Sequence, residues 1–208
     1  GPGDTVADDL EHVGVRVERI DDRTLLAGKL ARCAAIVVGI RAYNARAVVR
    51  AAHPRLMKYV EDGGSVVVQY MTNSRLAPLE GPVGPYPLEL GRDRITDERA
   101  AVTFVDPKAA VLAKPNRIGP ADFEGWVQER GIYFASKWDD RYRPLFSMAD
   151  PGEAPLLGST LVAKHGKGRY VYTGLAFFRQ LPAGVPGAYR LFVNLLAHIL
   201  IWIPLFAG

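Results

Sequence analysis

Chemistry in a protein needs groups that attack, move protons, ligate metals or grip a ligand, and this sequence offers mainly the last. Its four histidines, His12, His53, His165 and His198, are scattered. None pairs with another at one helical turn, and no carboxylate stands at metal-ligand spacing, so neither a metal centre nor a cofactor is expected. The single cysteine, Cys33, precedes an apolar run instead of following it. It lacks the helix N-terminal setting that activates a thiol and reads as a small buried residue; alone, it also excludes an internal disulfide framework. The glycine pairs in Gly81-Pro82-Val83-Gly84 and Gly166-Lys167-Gly168 lack the strand-to-helix context of a phosphate loop and read as turns.

What remains is a set of polar and aromatic residues at the ends of apolar runs. Arg41, Tyr43 and Asn44 follow AAIVVGI (34–40), and Gln69, Tyr70 and Asn73 follow SVVV (65–68). Arg92, Asp93 and Arg94 close a Pro/Gly-rich loop, and Phe177, Phe178, Arg179 and Gln180 follow a late strand. If these runs lie in one parallel sheet, their carboxyl ends share an edge, which is where ligands collect in open α/β folds. Arginine, tyrosine and amide side chains supply planar donors and stacking faces suited to a polyhydroxylated or carboxylate ligand. The candidate ligand-binding set is therefore Arg41, Tyr43, Asn44, Gln69, Tyr70, Asn73, Arg92, Arg179 and Gln180. The same groups also read as a self-satisfied network pinning long loops, because buried polar groups must be paired whether or not a ligand comes. Residues 69–73 contain no Cys, Ser, His, Asp or Glu, which argues against a hydrolytic nucleophile at that turn. A second cluster, Trp126, Glu129, Arg130, Tyr133 and Trp138, reads as a clasp for the irregular middle of the chain; exposed, it would stack on sugar rings.

The elements that must position these groups follow from pattern. Asp4 caps a helix carrying Val6, Leu10 and Val13 at helical spacing, ended by Gly14. Residues 15–20 alternate as an edge strand, and Asp21 and Asp22 cap a short helix. Residues 34–40 and 65–70 are continuous apolar runs, as a strand covered on both faces requires. Helix fills 45–62, broken at His53-Pro54. Residues 76–94, with six Pro or Gly between Pro78 and Pro87, are a long loop, a length that inside a compact domain marks function. Short strands are expected at 101–105, 111–112, 132–135 and 144–148, and a short helix at 120–128. Residues 156–164 and 169–173 bracket a hairpin turn, and 185–198 form the last helix. Alternating strand and helix imply a three-layer α/β sandwich on a mostly parallel sheet. Such a fold normally opens on a central strand, whereas this chain opens on a helix. The apolar residues 199–206 are the candidate for that strand, by circular permutation or swapping.

At 208 residues the chain reads as one domain, 1–208, with apolar content of 49% and charge of 23% typical of a soluble globular protein. A net charge of +4, without a block of Lys or Arg, gives no electrostatic footprint for nucleic acid. The C-terminal apolar run is interrupted by Asn194, His198 and Pro204 and is too short for a membrane span. No signal peptide is visible, and the compartment stays open between the cytoplasm and the periplasm or exterior.

The phrases VVGIRAYN (37–44), YVEDGGSVVVQYMTN (59–73), GPYPLELGRDRIT (84–96), ADFEGWVQERGIYF (121–134) and KGRYVYTGLAFFRQLPAGVPGAYRLFVNLL (167–196) resemble one known module. That module resembles class I glutamine amidotransferases and ThuA-like domains and stands at the C-terminus of bacterial PIG-L (LmbE-like) deacetylase proteins. The resemblance implies a flavodoxin-like fold and an N-terminal deacetylase domain as partner. Active amidotransferases of this type carry a nucleophilic Cys on the turn after the strand matching 66–69. Gln69, Tyr70 and Met71 stand there in this chain, and no His-x-Glu follows the late strands. The expected function is a non-catalytic accessory domain that binds a glycan or positions a sugar deacetylase. The alternatives are a ThuA-like enzyme acting on a sugar or amide, with Asp93, Glu129 or His165 as general acid or base, and a purely structural assembly module.

Overall fold

The computed structural model describes residues 3–75 and 78–197. Its helices are α1 (Val6–His12), α2 (Asp22–Ala27), α3 (Ala42–Ala45), α4 (Ala47–Ala51), α5 (His53–Glu61), α6 (Phe177–Gln180) and α7 (Pro186–Leu196). Its strands are β1 (Ala35–Val38), β2 (Ser65–Gln69), β3 (Leu88–Leu90), β4 (Arg94–Ile95), β5 (Val102–Phe104), β6 (Gly131–Ile132), β7 (Ala135–Trp138), β8 (Tyr142–Pro144), β9 (Phe146–Met148), β10 (Thr160–His165) and β11 (Gly168–Thr173).

The central sheet has five strands in the order β1-β2-β11-β10-β8. β2 is its axis: all five residues are buried, and Val67 pairs with Val37 on one side and Val171 on the other. β1, β2 and β11 run parallel; β10 is antiparallel to β11, and β8, antiparallel to β10, points the same way as the first three. Four of the five strands thus share one direction, and the sheet is mixed because β10 alone is reversed. The cause is local: Gly166 and Lys167 alone separate the paired residues His165 and Gly168, and so short a turn permits only an antiparallel return.

Side chains alternate across the sheet into two cores. One face carries Val67, Val171 and Phe134 against Val6 and Leu10 of α1 and Leu191, Phe192 and Leu195 of α7. The other carries Val66, Val68, Tyr170 and Tyr172 against Leu25 of α2, Val49 of α4 and Leu56 and Val60 of α5. Helix, sheet and helix make three layers, the flavodoxin-like α/β arrangement. Three two-stranded pairs, β3–β7, β4–β6 and β5–β9, stand outside this sheet.

Four local expectations change. Residues 15–20 form no strand: Val15, Val17 and Ile20 are half-buried against the cores, but the segment has no ladder partner among the described residues. Residues 110–112 form a 3-10 turn, not a strand, because three residues with Val111 and Leu112 both turned inward suit a tight helical turn better than a pleat. The expected helix at 120–128 is cut to a 3-10 turn at Pro120–Phe123, since Glu124 turns extended (ψ 148°) and Gly125 follows with φ of 70°. The loop 76–94 is not wholly irregular, for its end supplies β3 and Arg94 begins β4. Residues 199–206, expected to supply a strand, lie outside the described residues. No helix among the described residues is long and apolar enough to cross a membrane.

Candidate functional site

Three strand exits meet at the carboxyl edge of the parallel strands. β1 ends at Gly39 and Ile40, and Arg41 then turns the chain into α3 with φ of 54°. Its N–H donates to the Tyr70 carbonyl at 2.9 Å, which ties the first exit to the second. Gln69 is the last residue of β2 and lies beside Thr173, the last of β11. Its side chain is buried, and Nε2 approaches the Asp4 carboxylate at 3.4 Å. Asp4 also accepts from the Ile40 N–H at 2.8 Å, so one carboxylate bridges two strand ends. The third exit, through Gly174 and Leu175 into α6, presents Phe178 and Arg179.

Residues 127–133 fold over these exits. Gln180, wholly buried, accepts from the Val127 N–H at 2.8 Å and donates to the carbonyls of Val127 and Glu129 at 2.9 and 3.2 Å. Ala176 N–H donates to Arg130 O, and Ile132 N–H to Gly174 O. Glycine is required at 131 because a Cβ there would meet the Gly174 carbonyl at 2.3 Å. Tyr172 Oη fixes the far end by donating to Tyr133 O at 2.5 Å.

The result is a compact cluster of rings and charges. Tyr70 stacks on Tyr133 with centroids 5.6 Å apart and touches Phe178 at 5.2 Å. Arg179 lies 5.0 Å from the Phe178 centroid, donates from Nε to Glu129 at 2.8 Å, and also bonds Gln128 Oε1. Burial pushes the Tyr70 phenol up, while the Arg41 and Arg179 cations pull it down and Tyr133 and Glu129 push it further up. Among the described residues, the non-glycine positions with positive φ are Arg41, Gln128 (66°) and Tyr133 (59°). All three border this cluster. Left-handed backbone at such residues costs of order 1 kcal/mol each and persists only where the surroundings enforce it, which is common at functional sites.

Of the sequence-derived set, the structure brings together Arg41, Gln69, Tyr70 and Arg179. Gln180 stands behind them as a scaffold. Tyr43 does not join: it is fully buried in the second core, with Oη 2.9 Å from His53 Nδ1. The helix α3 begins at once after Arg41, so Tyr43 rotates inward instead of leaving along the edge. Asn44 exchanges hydrogen bonds with the backbone of Thr72, and Asn73 holds Leu90 O and Leu79 N–H, so both pin loops. Arg92 is exposed and makes no hydrogen bond or ion pair among the described residues. The residues missed as a unit are Asp4, Gln128, Glu129, Tyr133 and Phe178. Glu129 and Tyr133 had been grouped with Trp126, Arg130 and Trp138, but the group divides. Trp126 and Arg130 are buried, and Arg130 donates to Ala100 O and Phe123 O beside the stacked Phe123 and Trp126 rings, which is the clasp. Burial lowers its guanidinium to about 10.

Asp93, Glu129 and His165 do not converge. His165 lies at the hairpin end of β10, opposite the Thr173 end where Glu129 sits, and contacts Tyr86 at 3.3 Å. Two surface hollows, of about 530 and 560 Å3, also lie away from the strand exits; the larger is walled by His53, Met57, Tyr86 and His165. Among the described residues no group of His, Cys, Asp or Glu is placed to hold a metal ion.

No protein-family model matches the sequence, and no curated protein does. Solved structures do match in fold. The cytoplasmic protein STM3548 of Salmonella typhimurium aligns over 91% of this chain and 83% of its own, with 13% identity and a TM-score of 0.58. A ThuA-like protein from Bacteroides uniformis aligns over 91% and 80%, with 13% identity and a TM-score of 0.52. Gan42B, a GH42 beta-galactosidase of G. stearothermophilus, aligns over 85% of this chain but 24% of its own, with 16% identity and a TM-score of 0.50. At these identities the likeness is one of fold, and that fold is ThuA-like.

Proposed function

We propose that this domain holds a carbohydrate on the strand-exit cluster as an accessory module, without transforming it. The observation that carries the reading is the combination at one edge of half-buried ring faces (Tyr133, Phe178), guanidinium groups (Arg41, Arg179) and a backbone kept left-handed at three non-glycine residues. Ring faces favour the C–H surface of a sugar, and planar guanidinium donors favour its hydroxyl or carboxylate oxygens. Its rings and charges already pack on one another, so it suits a ligand laid on the rings better than one enclosed. The fold likeness to about a quarter of Gan42B fits a module that works beside other domains.

The test is a titration followed by NMR with a neutral hexose, an N-acetylated hexosamine and a hexuronate. Saturable shifts at the Gln69 and Arg179 side chains are expected with at least one of them. Silence at both sites across all three sugars, up to tens of millimolar, refutes the reading. On the sequence resemblance, the enzyme served is a PIG-L-type deacetylase. A deacetylase domain whose turnover is the same with and without this domain in one chain would remove that part of the proposal.

A further inference from the structure

At the strand-exit cluster a carboxylate already sits on a guanidinium. Arg179 donates from Nε to Glu129 at 2.8 Å and from Nη1 to Gln128 Oε1. The hold on Glu129 is single-pronged, whereas a guanidinium that meets a carboxylate squarely gives two parallel bonds. The two partners are also unequally sheltered, for the Arg179 side chain is 36% exposed and that of Glu129 16%. The cation is thus the half that faces outward, and a guanidinium carries more N–H donors than these bonds use. It lies 5.0 Å from the Phe178 centroid, and Phe178 and Tyr133, both half-buried, pack on Tyr70. Arg41 places a second cation near the Tyr70 phenol. The Glu129 side chain is not what holds its own backbone. Gln180 Nε2 donates to Val127 O at 2.9 Å and to Glu129 O at 3.2 Å, and Tyr172 Oη donates to Tyr133 O at 2.5 Å. The carboxylate is therefore exchangeable without releasing residues 127–133.

We propose that the saccharide held here is an acidic one, of the hexuronate class, whose carboxylate takes the outer edge of Arg179, and that Glu129 is a built-in competitor that sets how tightly it binds. This rests on the carbohydrate reading above and adds to it the charge of the ligand and the residue that governs its affinity. Ring faces take the C–H surface of neutral and acidic sugars alike, so Tyr133 and Phe178 do not tell the two apart. The guanidinium does. A ligand carboxylate gains a two-pronged, charge-assisted bond to Arg179 and the attraction of Arg41, but it meets the repulsion of Glu129 on the same cation. A neutral sugar feels neither effect. Removing the charge of Glu129 should therefore tighten acidic sugars selectively, because complementary charge acts on specificity more than on shape.

Calorimetric titration of the parent and of Glu129→Gln with glucuronate and with glucose tests this. Glutamine keeps the shape and an acceptor for Arg179 Nε, so the segment stays in place. The variant is expected to bind glucuronate roughly tenfold tighter than the parent, and glucose within about twofold of it. The gain should shrink as salt is raised. Glu153→Gln, the same change of net charge at an exposed position, should bring no gain. Arg179→Gln added to Glu129→Gln should remove the gain, and a gain that survives overturns the assignment to Arg179. Unchanged glucuronate affinity in Glu129→Gln, or an equal gain for glucose, overturns the inference alone, since glucose binding leaves the carbohydrate reading standing. Silence of both proteins toward both sugars overturns the two together.

Discussion

Replacing Gln180 with leucine should release the segment that carries Gln128 and Glu129 while leaving the sheet intact. Gln180 is wholly buried and makes three hydrogen bonds to the backbone of residues 127–129. Leucine fills most of the volume, so the cost lies in the stranded groups and not in a cavity. A neutral hydrogen bond contributes about 1 kcal/mol net, and a stranded buried partner costs about 1–3 kcal/mol. Val127 and Glu129 are half-buried, so water reaches part of the exposed backbone and the low end applies. The sum is about 3 kcal/mol, which for a chain of this size is a fall in Tm of roughly 6–12 °C. Gln180→Glu should be worse than leucine: it keeps an acceptor for Val127 N–H but sets a carboxylate against two carbonyl oxygens in a fully buried place. Urea denaturation followed by circular dichroism gives the stabilities, and hydrogen exchange at 127–129 reports the loosening. A leucine variant within about 1 kcal/mol of the parent, or a glutamate variant more stable than the leucine one, would refute the account.

Arg179→Ala should weaken sugar binding by roughly tenfold or more, since charge-assisted hydrogen bonds contribute about 1.5–3 kcal/mol. It should cost less than about 1 kcal/mol of stability, because its pairing with Glu129 is partly exposed, and calorimetry with denaturation separates the two. His53 is depressed below 6.5 by burial, so unfolding lets it take up a proton that the folded state refuses. Stability should hold above that value and fall as pH drops below it, by at most about 1.4 kcal/mol per pH unit, and His53→Gln should flatten the slope in Tm measured from pH 7 to 5. Gly168→Ala would press a Cβ within 2.0 Å of Val60 O and 2.2 Å of Gly64 O and should cost about 3 kcal/mol or more. Gly119→Ala, whose Cβ meets nothing within 4 Å, should be close to neutral in the same urea series.

The strands were legible where composition forces them: residues 35–38 and 66–68 lack a polar side chain, so both their burial and their exits could be read. The hairpin was equally plain from the glycines that flank Lys167. The site was half legible. Gln69 ends β2, Tyr70 and Arg41 follow within a few residues of a strand, and Arg179 stands on the short helix after β11, so the parallel arrangement largely gathers them. Tyr43 was misplaced by two residues of helix, a rotation that a strand-exit rule does not register. Glu129, Gln128 and Tyr133 reach the edge only because Gln180 and Gly131 hold a distant loop against Gly174, a long-range contact with no periodic trace in the sequence. The positive φ at Gln128 and Tyr133 is likewise silent, since neither residue type advertises it.

The Pro/Gly loop owes its position largely to phenols: Tyr170 Oη donates to Val83 O at 2.6 Å, and Tyr142 Oη to Tyr86 O at 3.0 Å. Both anchors lie in the second core and read only the carbonyl, a group every amino acid carries. Exposed side chains of that loop, Glu80 and Pro82 among them, can therefore change without detaching it, whereas Val83 is buried and a Cβ at Gly84 would meet Tyr142 Oη at 2.2 Å. The tyrosines beneath have no such latitude, because phenylalanine in either place keeps the shape but strands the oxygen above.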